Sequence, residues 1–419
     1  MNYKEAMEYL ARSQRFGSKP GLERIRELCR RLGDPQNSLS YIHVTGTNGK
    51  GSVCAMLYSV LSFAGVKTGL FTSPHMLRFH ERFAANGTLI TKEEIRVIVN
   101  EVAAAAEGME ESPTEFELMC AMSFLFFKKR KCDIVVCEVG MGGRLDSTNI
   151  IPPPLAAVIT GVALDHTAVL GDTLEKIAQE KAGIIKSGCP VVCGEMPKAA
   201  LDVILEKARA EKSPVILTGP GTEYAAANQR VCEGGLIFDI GQRTNLRIPL
   251  AGLYQFKNAA VAVAALDAVG LCGKRIPDIV VKRGLARVRW RGRFELFSPD
   301  PLLIFDGGHN PQGLTAAAES LAAYYPDRKF TVITGVMADK DRSEMIKIMS
   351  SFAKEVFTVE PDNPRALDAK KYAAELAAAG IPAKAFSSME EALVTASDRD
   401  TVVVGSLYMY KQFIDSLGM

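Results

Sequence analysis

Short apolar runs alternate along this chain with longer stretches whose apolar residues recur at helical spacing. Residues 41–45, YIHVT, are typical of a β-strand, GTNGKG follows as a glycine-rich turn, and residues 52–65 have helical periodicity. KTGLFT, CDIVVCEVG and LAAVITGV predict further buried strands, while TEFELMCAMSFLFFKKR and DTLEKIAQEKAGII predict helices. The alternation predicts an α/β fold of the P-loop type, with a mainly parallel sheet flanked by helices.

The pattern changes twice in the second half of the chain. Residues 213–250 break into short β-prone pieces, which predict a small antiparallel excursion beside the main sheet. Ser298-Pro299-Asp300-Pro301 then separates RFELF from LLIFD, and we place a domain boundary there. The α/β rhythm resumes with a helix from Pro311 and strands such as KFTVITGV and TVVVGS. We therefore expect a P-loop-type domain over residues 1–297 and a smaller C-terminal α/β domain of about four to six strands over 298–419.

Composition narrows the class of protein. At about 150 residues per domain, 419 residues predict two or three domains. Lys and Arg total 50 against 48 Asp and Glu, so no global charge recruits nucleic acid or an anionic membrane. The nine cysteines include no CxxC pair and lie mostly in apolar runs, which predicts reduced, buried thiols. With neither a signal-peptide pattern nor a membrane-length apolar run, we expect a cytoplasmic enzyme without nucleic-acid or membrane partners.

The loop GTNGKGS has the chemistry of a phosphate-binding site. Its glycines let the backbone approach a polyphosphate, Lys50 can reach the terminal phosphates, and Ser52 or Thr47 can offer a hydroxyl to Mg²⁺. The spacing departs from G-x-x-x-x-G-K-[ST], because the first two glycines are closer and Gly51 separates Lys50 from Ser52. The alternative is a tight strand-to-helix turn with an incidental lysine.

Polar residues also follow other predicted strands at the edge where open α/β sheets bind ligands. Glu138 ends CDIVVCEVG, and a carboxylate there favours Mg²⁺ as its partner. His166 follows LAAVITGV, although an isolated histidine more often caps a helix or packs. In the second domain Asp306 ends LLIFD, and His309 lies in the loop that follows; a simple turn is the alternative.

The stretch VKRGLARVRWRGRF concentrates positive charge that the net charge conceals. It carries six basic residues within 12 positions and no carboxylate, namely Lys282, Arg283, Arg287, Arg289, Arg291 and Arg293. Such a run usually forms a solvated face. Its functional alternative is pairing with phosphate or carboxylate groups of a small ligand.

Taken together, these motifs resemble the folylpolyglutamate synthase and dihydrofolate synthase family of the Mur-ligase-like superfamily. HVTGTNGKGS, SPH, TEFE, EVGMGGRLDSTN, QEKAGIIK, FKNAA, GRF, DGGHNPQG and VVVGSLY occur in that family's order, from about residue 17 to the C-terminus. The resemblance implies an ATP-dependent amide ligase that joins L-glutamate to a pteroate or folate carboxylate through an acyl phosphate. It also implies a monomer with two Mg²⁺ sites and, as a further option, a monovalent cation.

The resemblance assigns roles to individual residues. Thr47, Asn48, Gly49, Lys50, Gly51, Ser52, Asn258, Arg293 and Asp306 match ATP-contacting positions, with His309 beside them and with Lys50, Lys181, Asp306 and His309 as the catalytic set. Ser73, Glu138 and His166 match metal ligands. Thr114, Glu115, Phe116, Glu117, Leu145, Asp146 and Ser147 match the pterin-contacting segments, with Lys19 to Leu22 as an N-terminal loop beside them.

Lys181 matches a lysine that the family carries as a carbamate, whereas by itself it would be an ordinary helical surface lysine. Gly308 and Ser147 stand where the family often has alanine, which removes no side chain that the chemistry needs. The alternative functions are a Mur-type ligase acting on a UDP-sugar peptide and a P-loop phosphotransferase. Both dihydrofolate synthase and folylpolyglutamate synthase activities are expected.

Overall fold

The computed structural model describes residues 1–13, 20–232, 234–273 and 275–419; Lys19 lies outside them. The described chain divides into two compact units. The first comprises 1–229, 238–247 and 257–288, and the second comprises 230–237, 248–256 and 289–419. Within the described ranges, no helix is both long and apolar enough to cross a membrane.

The first unit is built on an eight-stranded sheet. Its strands are β1 (Ser40–Thr45), β2 (Thr68–Phe71), β3 (Phe83–Ala85), β4 (Thr88–Leu89), β5 (Ile134–Glu138), β6 (Ala156–Ile159), β7 (Val191–Cys193) and β8 (Val215–Leu217). They lie in the order β4-β3-β2-β5-β1-β6-β7-β8. The pairings among β2, β5, β1, β6, β7 and β8 are parallel, and the pairings β2–β3 and β3–β4 at one edge are antiparallel.

Helices cover both faces of this sheet, because strands buried on two sides need an apolar layer on each. They are α1 (Tyr3–Ser13), α2 (Glu23–Arg31), α3 (Lys50–Phe63), α4 (Lys92–Ala106), α5 (Glu115–Lys129), α6 (Thr167–Leu170), α7 (Leu174–Ala182), α8 (Lys198–Ala210), α9 (Gln255–Leu271) and α10 (Asp278–Leu285). Helix α5 is buried on most sides, as expected of a helix that is apolar all round. The predicted parallel α/β architecture is confirmed.

The β-prone region after residue 213 contributes to two sheets. β8 joins the edge of the main sheet, while β9 (Ala226–Cys232), β10 (Gly235–Ile240) and β11 (Arg243–Ile248) form a separate sheet in the order β11-β10-β9. The separate small sheet therefore begins at Ala226, later than residue 213, where the loss of helical periodicity had indicated its start.

The second unit contains a six-stranded sheet in the order β12-β13-β17-β14-β15-β16. Its elements are β12 (Glu295–Pro299), β13 (Leu302–Asp306), α11 (Pro311–Tyr324), β14 (Phe330–Thr334), α12 (Arg342–Met349), β15 (Ala353–Thr358), α13 (Ala369–Ala378), β16 (Ala383–Ala385), α14 (Met389–Thr395), β17 (Thr401–Val404) and α15 (Met409–Ser416). The proline-containing segment 298–301 lies at the turn of the β12–β13 hairpin, so this sheet begins before residue 298.

All nine cysteines are free thiols, and seven of them are buried, as predicted. Cys232 is half-buried, and Cys272 is exposed at the end of α9.

Candidate active site

The glycine-rich loop leaves the carboxyl end of β1, between neighbours β5 and β6, and leads into α3. Gly46 and Gly49 have φ angles of +152° and +86°, which residues with a Cβ rarely adopt. A Cβ on Gly46 would lie 1.9 Å from the hydroxyl of Thr160, and one on Gly49 would lie 2.4 Å from Oδ1 of Asn258. The fold therefore requires glycine at both positions and places Asn258 against the loop.

The side chains of Lys50 and Thr47 both form hydrogen bonds to the protein backbone. The Lys50 ammonium donates to the carbonyls of Gly46, at 3.0 Å, and Thr47, at 3.2 Å. The Thr47 hydroxyl accepts from the amide of Ala163, at 3.0 Å, and donates to its carbonyl, at 3.1 Å. Of the two hydroxyls considered for Mg²⁺, that of Thr47 is therefore committed to the protein, while Ser52 is buried in the first turn of α3.

Lys181 projects from α7 and is only 3% exposed, so it is not an ordinary surface lysine. Burial, and to a smaller extent the nearby positive charge of Lys50, lower the pKa of Lys181 to about 7, while Asp165 acts in the opposite direction. A substantial fraction of the Lys181 amine is therefore neutral near pH 7. The neutral amine is the form that reacts with carbon dioxide.

Glu138 and Ser73 lie next to each other at the same edge of the sheet. The Glu138 side chain is 4% exposed, and its Oε2 accepts a 3.0 Å hydrogen bond from the backbone amide of Ser73. His166 is exposed at the start of α6 with a left-handed backbone, and its amide donates to Asp165 at 2.8 Å. Among the residues that the structure describes, no three His, Cys, Asp or Glu side chains form a metal cluster by themselves. A buried carboxylate beside a serine nonetheless fits Mg²⁺, which typically binds one or two protein groups plus phosphates and water.

The loop after β5 is held together by Asp146. One carboxylate oxygen accepts from the amide of Thr148, at 3.0 Å, and from its hydroxyl, at 2.5 Å, and the other accepts from the amide of Met141, at 3.0 Å. The Thr148 hydroxyl also lies 2.9 Å from Nε2 of the buried His43 on β1. Asp146 therefore orders the turn that carries Leu145 and Ser147.

The TEFE segment lies beside this loop. Thr114 and Glu117 form a capping box at the start of α5, and Arg24 pairs with Glu117 at 3.2 Å. Phe116 packs so closely on Gly140 that a Cβ there would lie 2.5 Å from its ring. The structure thus brings Phe116 to the Asp146 loop, whereas the polar atoms of Thr114 and Glu117 are engaged in holding α5 and α2.

The second unit has its own polar cluster at the end of β13. Asp306, which is 2% exposed, accepts from the hydroxyl of Tyr254 at 2.6 Å and from the amides of Phe294 and Gly308, both at 2.8 Å. Burial raises the pKa of Asp306, although these bonds and nearby Arg293 oppose the rise. His309 lies 3.2 Å from the carbonyl of Gly307, in the loop that follows. The predicted residues Arg293, Asp306 and His309 therefore lie close together.

The basic run is divided between the two units. Lys282 ends α10 and donates to the carbonyl of Thr244 at 3.1 Å, and the Arg287 guanidinium lies 4.4 Å from the centre of the Phe63 ring. These two residues belong to the first unit, whereas the run from Arg289 onward belongs to the second.

Sequence reasoning missed three residues that contact the predicted site. Thr160 donates to the carbonyl of Asn48, Tyr254 donates to Asp306, and Lys186 donates to the carbonyls of Asn149 and Ile151 at the end of the Asp146 turn. Only Thr160 carried a signal that the sequence could have revealed, since it is a hydroxyl residue at the carboxyl end of a buried strand.

Comparison with known proteins identifies the class. Residues 44–266 match the Mur ligase middle domain, and residues 292–406 match the Mur ligase glutamate ligase domain. The Bacillus subtilis dihydrofolate synthase/folylpolyglutamate synthase is 36% identical over 378 residues, covering 88% of this chain and 87% of the relative. The protein is therefore an ATP-dependent ligase of the Mur ligase family.

Solved structures narrow the class to one branch. An FPGS complex with AMPPCP and folate is 33% identical, with a TM-score of 0.85 and 100% coverage of both chains. The Mycobacterium tuberculosis folylpolyglutamate synthase complexed with ADP is 29% identical, with a TM-score of 0.91 and coverage of 100% of this chain and 98% of that one. The chain belongs to the folylpolyglutamate synthase and dihydrofolate synthase family.

Proposed function

We propose that this protein uses ATP to join the amine of L-glutamate to a carboxylate of dihydropteroate and of reduced folates. The observation that carries the proposal is the phosphate-type loop beside Asn258, Glu138 and Lys181 in a chain of this family. ATP phosphorylates the carboxylate, the glutamate amine attacks the acyl phosphate, and phosphate leaves from the tetrahedral intermediate. This course requires mainly positioning and charge neutralisation from the protein.

Within the first unit, Asn48, Gly49, Lys50, Gly51 and Ser52 bind the triphosphate, with Asn258 against the loop. Mg²⁺ would be held by Ser73, Glu138 and His166, and when bound it neutralises charge on the phosphates. A second Mg²⁺ site and a monovalent cation belong to the same proposal. Lys50 supplies a fixed positive charge to the phosphates.

Lys181 acts as a carbamate in this proposal. Its burial and lowered pKa support the modification, because the neutral amine adds carbon dioxide to give a carboxylate-like group. The negative charge of that group would relieve the repulsion between Lys181 and Lys50. Intact-mass measurement in bicarbonate buffer should show the added mass of one carbon dioxide, and its absence from Lys181→Met would assign the position.

In this proposal the folate substrate binds at the loop that Asp146 orders, in contact with Phe116, Glu115, Leu145 and Ser147. Thr114, Glu117 and Asp146 shape this region through the hydrogen bonds described above, rather than through free polar atoms. In the second unit, Asp306 and Arg293 contact the nucleotide. Asp306 and His309 also take part in the addition of glutamate. The protein is proposed to act as a monomer.

The test is glutamate-dependent phosphate release from ATP, measured with dihydropteroate and separately with tetrahydrofolate. Release with both acceptors is the expected result. Release with only one acceptor would reject the bifunctional part of the proposal, and release with neither would reject the ligase activity on folates. A UDP-sugar peptide serves as the acceptor for the Mur-type alternative, and no release is expected with it.

A further inference from the structure

The phosphate-type loop is tied to the end of β6 by hydrogen bonds on two sides. The Thr160 hydroxyl donates to the carbonyl of Asn48 at 2.6 Å. One residue earlier in the loop, the Thr47 amide donates to the carbonyl of Gly161 at 2.9 Å, and the Thr47 hydroxyl exchanges two bonds with Ala163. These contacts lie beyond the paired residues of β1 and β6, which end at Thr45 and Ile159. Strand pairing alone therefore does not hold this part of the loop.

The Thr160 bond controls the orientation of one peptide group. Because a trans peptide is planar, its N–H and C=O point in opposite directions. With the Asn48 carbonyl held by Thr160, the N–H of Gly49 points in the opposite direction, away from Thr160, within the plane of the same peptide group. A flipped peptide would present a carbonyl oxygen where the loop presents an N–H, which would repel a phosphate.

Gly46 makes room for this arrangement. The hydroxyl of Thr160 lies where a Cβ of residue 46 would be, at 1.9 Å from it. Gly46 and Thr160 are thus complementary. The missing side chain of Gly46 leaves a space that the Thr160 hydroxyl occupies, and this hydroxyl donates to the loop. A threonine that only packed in the core would not need a glycine opposite its hydroxyl.

Thr47 connects the loop to a second functional segment. Its partner Ala163 lies shortly before Asp165, whose charge acts on Lys181, and before His166, which belongs to the proposed ion site. Both hydrogen bonds of the Thr47 hydroxyl go to the same residue, so movement of the loop also moves the backbone that leads to His166.

We propose that the hydroxyls of Thr160 and Thr47 form a brace that holds the loop in its nucleotide-binding conformation and couples it to the Asp165–His166 segment. Both are positioning residues, because neither needs to touch the nucleotide. The proposal rests on the proposed function only in assigning this loop to a nucleotide.

The decisive comparison is Thr160→Val against Thr160→Ser. Valine keeps the shape without the donor, whereas serine keeps the donor. Thr218→Val is the matched control, since the Thr218 hydroxyl also donates to a backbone carbonyl across strands, that of Cys193 at 3.2 Å, at the far edge of the same sheet. The dissociation constant for ADP is measured by calorimetry with and without Mg²⁺, together with the KM values for ATP and for the folate acceptor.

We expect Thr160→Val to weaken ADP binding and raise the KM for ATP by about tenfold, in line with the loss of one buried hydrogen bond. The KM for the folate acceptor should change by less than about twofold, and Thr160→Ser and Thr218→Val should bind ADP as the unaltered protein does. Thr47→Val should weaken ADP binding similarly and should also reduce the improvement in ADP affinity that Mg²⁺ brings.

The brace is refuted if Thr160→Val binds ADP with unchanged affinity, or if it affects ATP and folate KM values equally. If Thr160→Val does not fold, Thr47→Val decides by the same criteria. The ADP measurement also separates this proposal from the proposed function: unaltered protein that binds ADP but ligates no glutamate would reject the ligase assignment, while the variants would still test the brace.

Discussion

The hydroxyl of Tyr254 donates a 2.6 Å hydrogen bond to the buried carboxylate of Asp306. The same oxygen accepts from the amide of Phe294, while the other oxygen accepts from the amide of Gly308. Arg293 is the nearby positive charge that also favours the ionised carboxylate. These four groups favour the ionised form of the buried carboxylate, and the contribution of Tyr254 can be removed by a single conservative substitution.

Tyr254→Phe should shift the acid side of the pH profile of kcat/KM to higher pH by about one unit. The reason is that burial already raises the pKa of Asp306, and loss of a donor to the carboxylate raises it further. Activity that needs ionised Asp306 is lost as pH falls through that pKa, so the loss begins at higher pH in the variant.

The control for this shift is Tyr324→Phe, which removes a hydroxyl bonded to the carbonyl of Ala251 at 2.7 Å in the same unit. Its pH profile should match that of the unaltered protein. Equal shifts in both variants, or no shift in Tyr254→Phe, would contradict a role for Tyr254 in holding the charge on Asp306.

Lys181 should make the stability of the protein depend on pH above neutrality. Its pKa is about 7 in the folded chain against an ordinary lysine value of 10.5, so between these two pH values the unfolded chain binds more protons. Stability then rises with pH across this window, by at most about 1.4 kcal/mol per pH unit, and this contribution is level below pH 7. Urea unfolding at pH 7 and pH 9, in buffer free of carbon dioxide, measures the effect.

Lys181→Met provides the reference for that experiment, because methionine fills a similar volume without titrating. The free energy of unfolding of the unaltered protein should rise relative to that of Lys181→Met between pH 7 and pH 9. A constant difference would show that the Lys181 pKa is not lowered in the folded state.

Lys50→Met should reduce glutamate-dependent phosphate release by more than about a hundredfold, because the variant lacks the fixed positive charge at the phosphates. Thermal unfolding followed by circular dichroism should show that the fold is kept. Lys282→Ala removes another lysine of the same unit, one bonded to the backbone carbonyl of Thr244, and should retain turnover. Substantial turnover by Lys50→Met would exclude the assigned role.

Asp146→Asn should raise the KM for the folate acceptor by about tenfold and leave the KM for ATP much less affected. Both carboxylate oxygens accept hydrogen bonds, and the asparagine NH₂ would face a donor at one of them. Asp172→Asn is the matched control at an exposed ion pair with Lys176. If the KM values for ATP and folate rose together, Asp146 would not act specifically on the folate loop.

Much of the fold followed from local pattern. The strand at YIHVT, the helix after GTNGKG and the helix from Pro311 are where periodicity and capping residues placed them. The segment Ser298–Pro301 was interpreted as a boundary because prolines and an aspartate cluster there, yet the same residues suit a hairpin turn. Composition alone does not distinguish a domain boundary from a hairpin turn, because prolines and aspartate favour the turn conformations that both require.

In the candidate site, too, some features could be recognised from the local sequence and others could not. Glycine at 46 and 49, Lys50, Glu138 and Asp306 were recognisable because strand ends and glycine-rich turns are short local signals. The engagement of Thr47 with Ala163, 116 residues away, was not recognisable. Nor was the use of Glu117 as a cap and ion-pair partner, or the separation of the basic run into two units.

The sequence by itself determined the class of fold, the family and the loops that carry the chemistry, because these depend on periodicity and on residues close together in the chain. Only the tertiary structure decided which polar side chains are bonded to the protein and which segment each one holds. The hydrogen-bond partner of a side chain such as Thr160 is supplied by whichever distant segment packs beside it, and no local pattern encodes that segment.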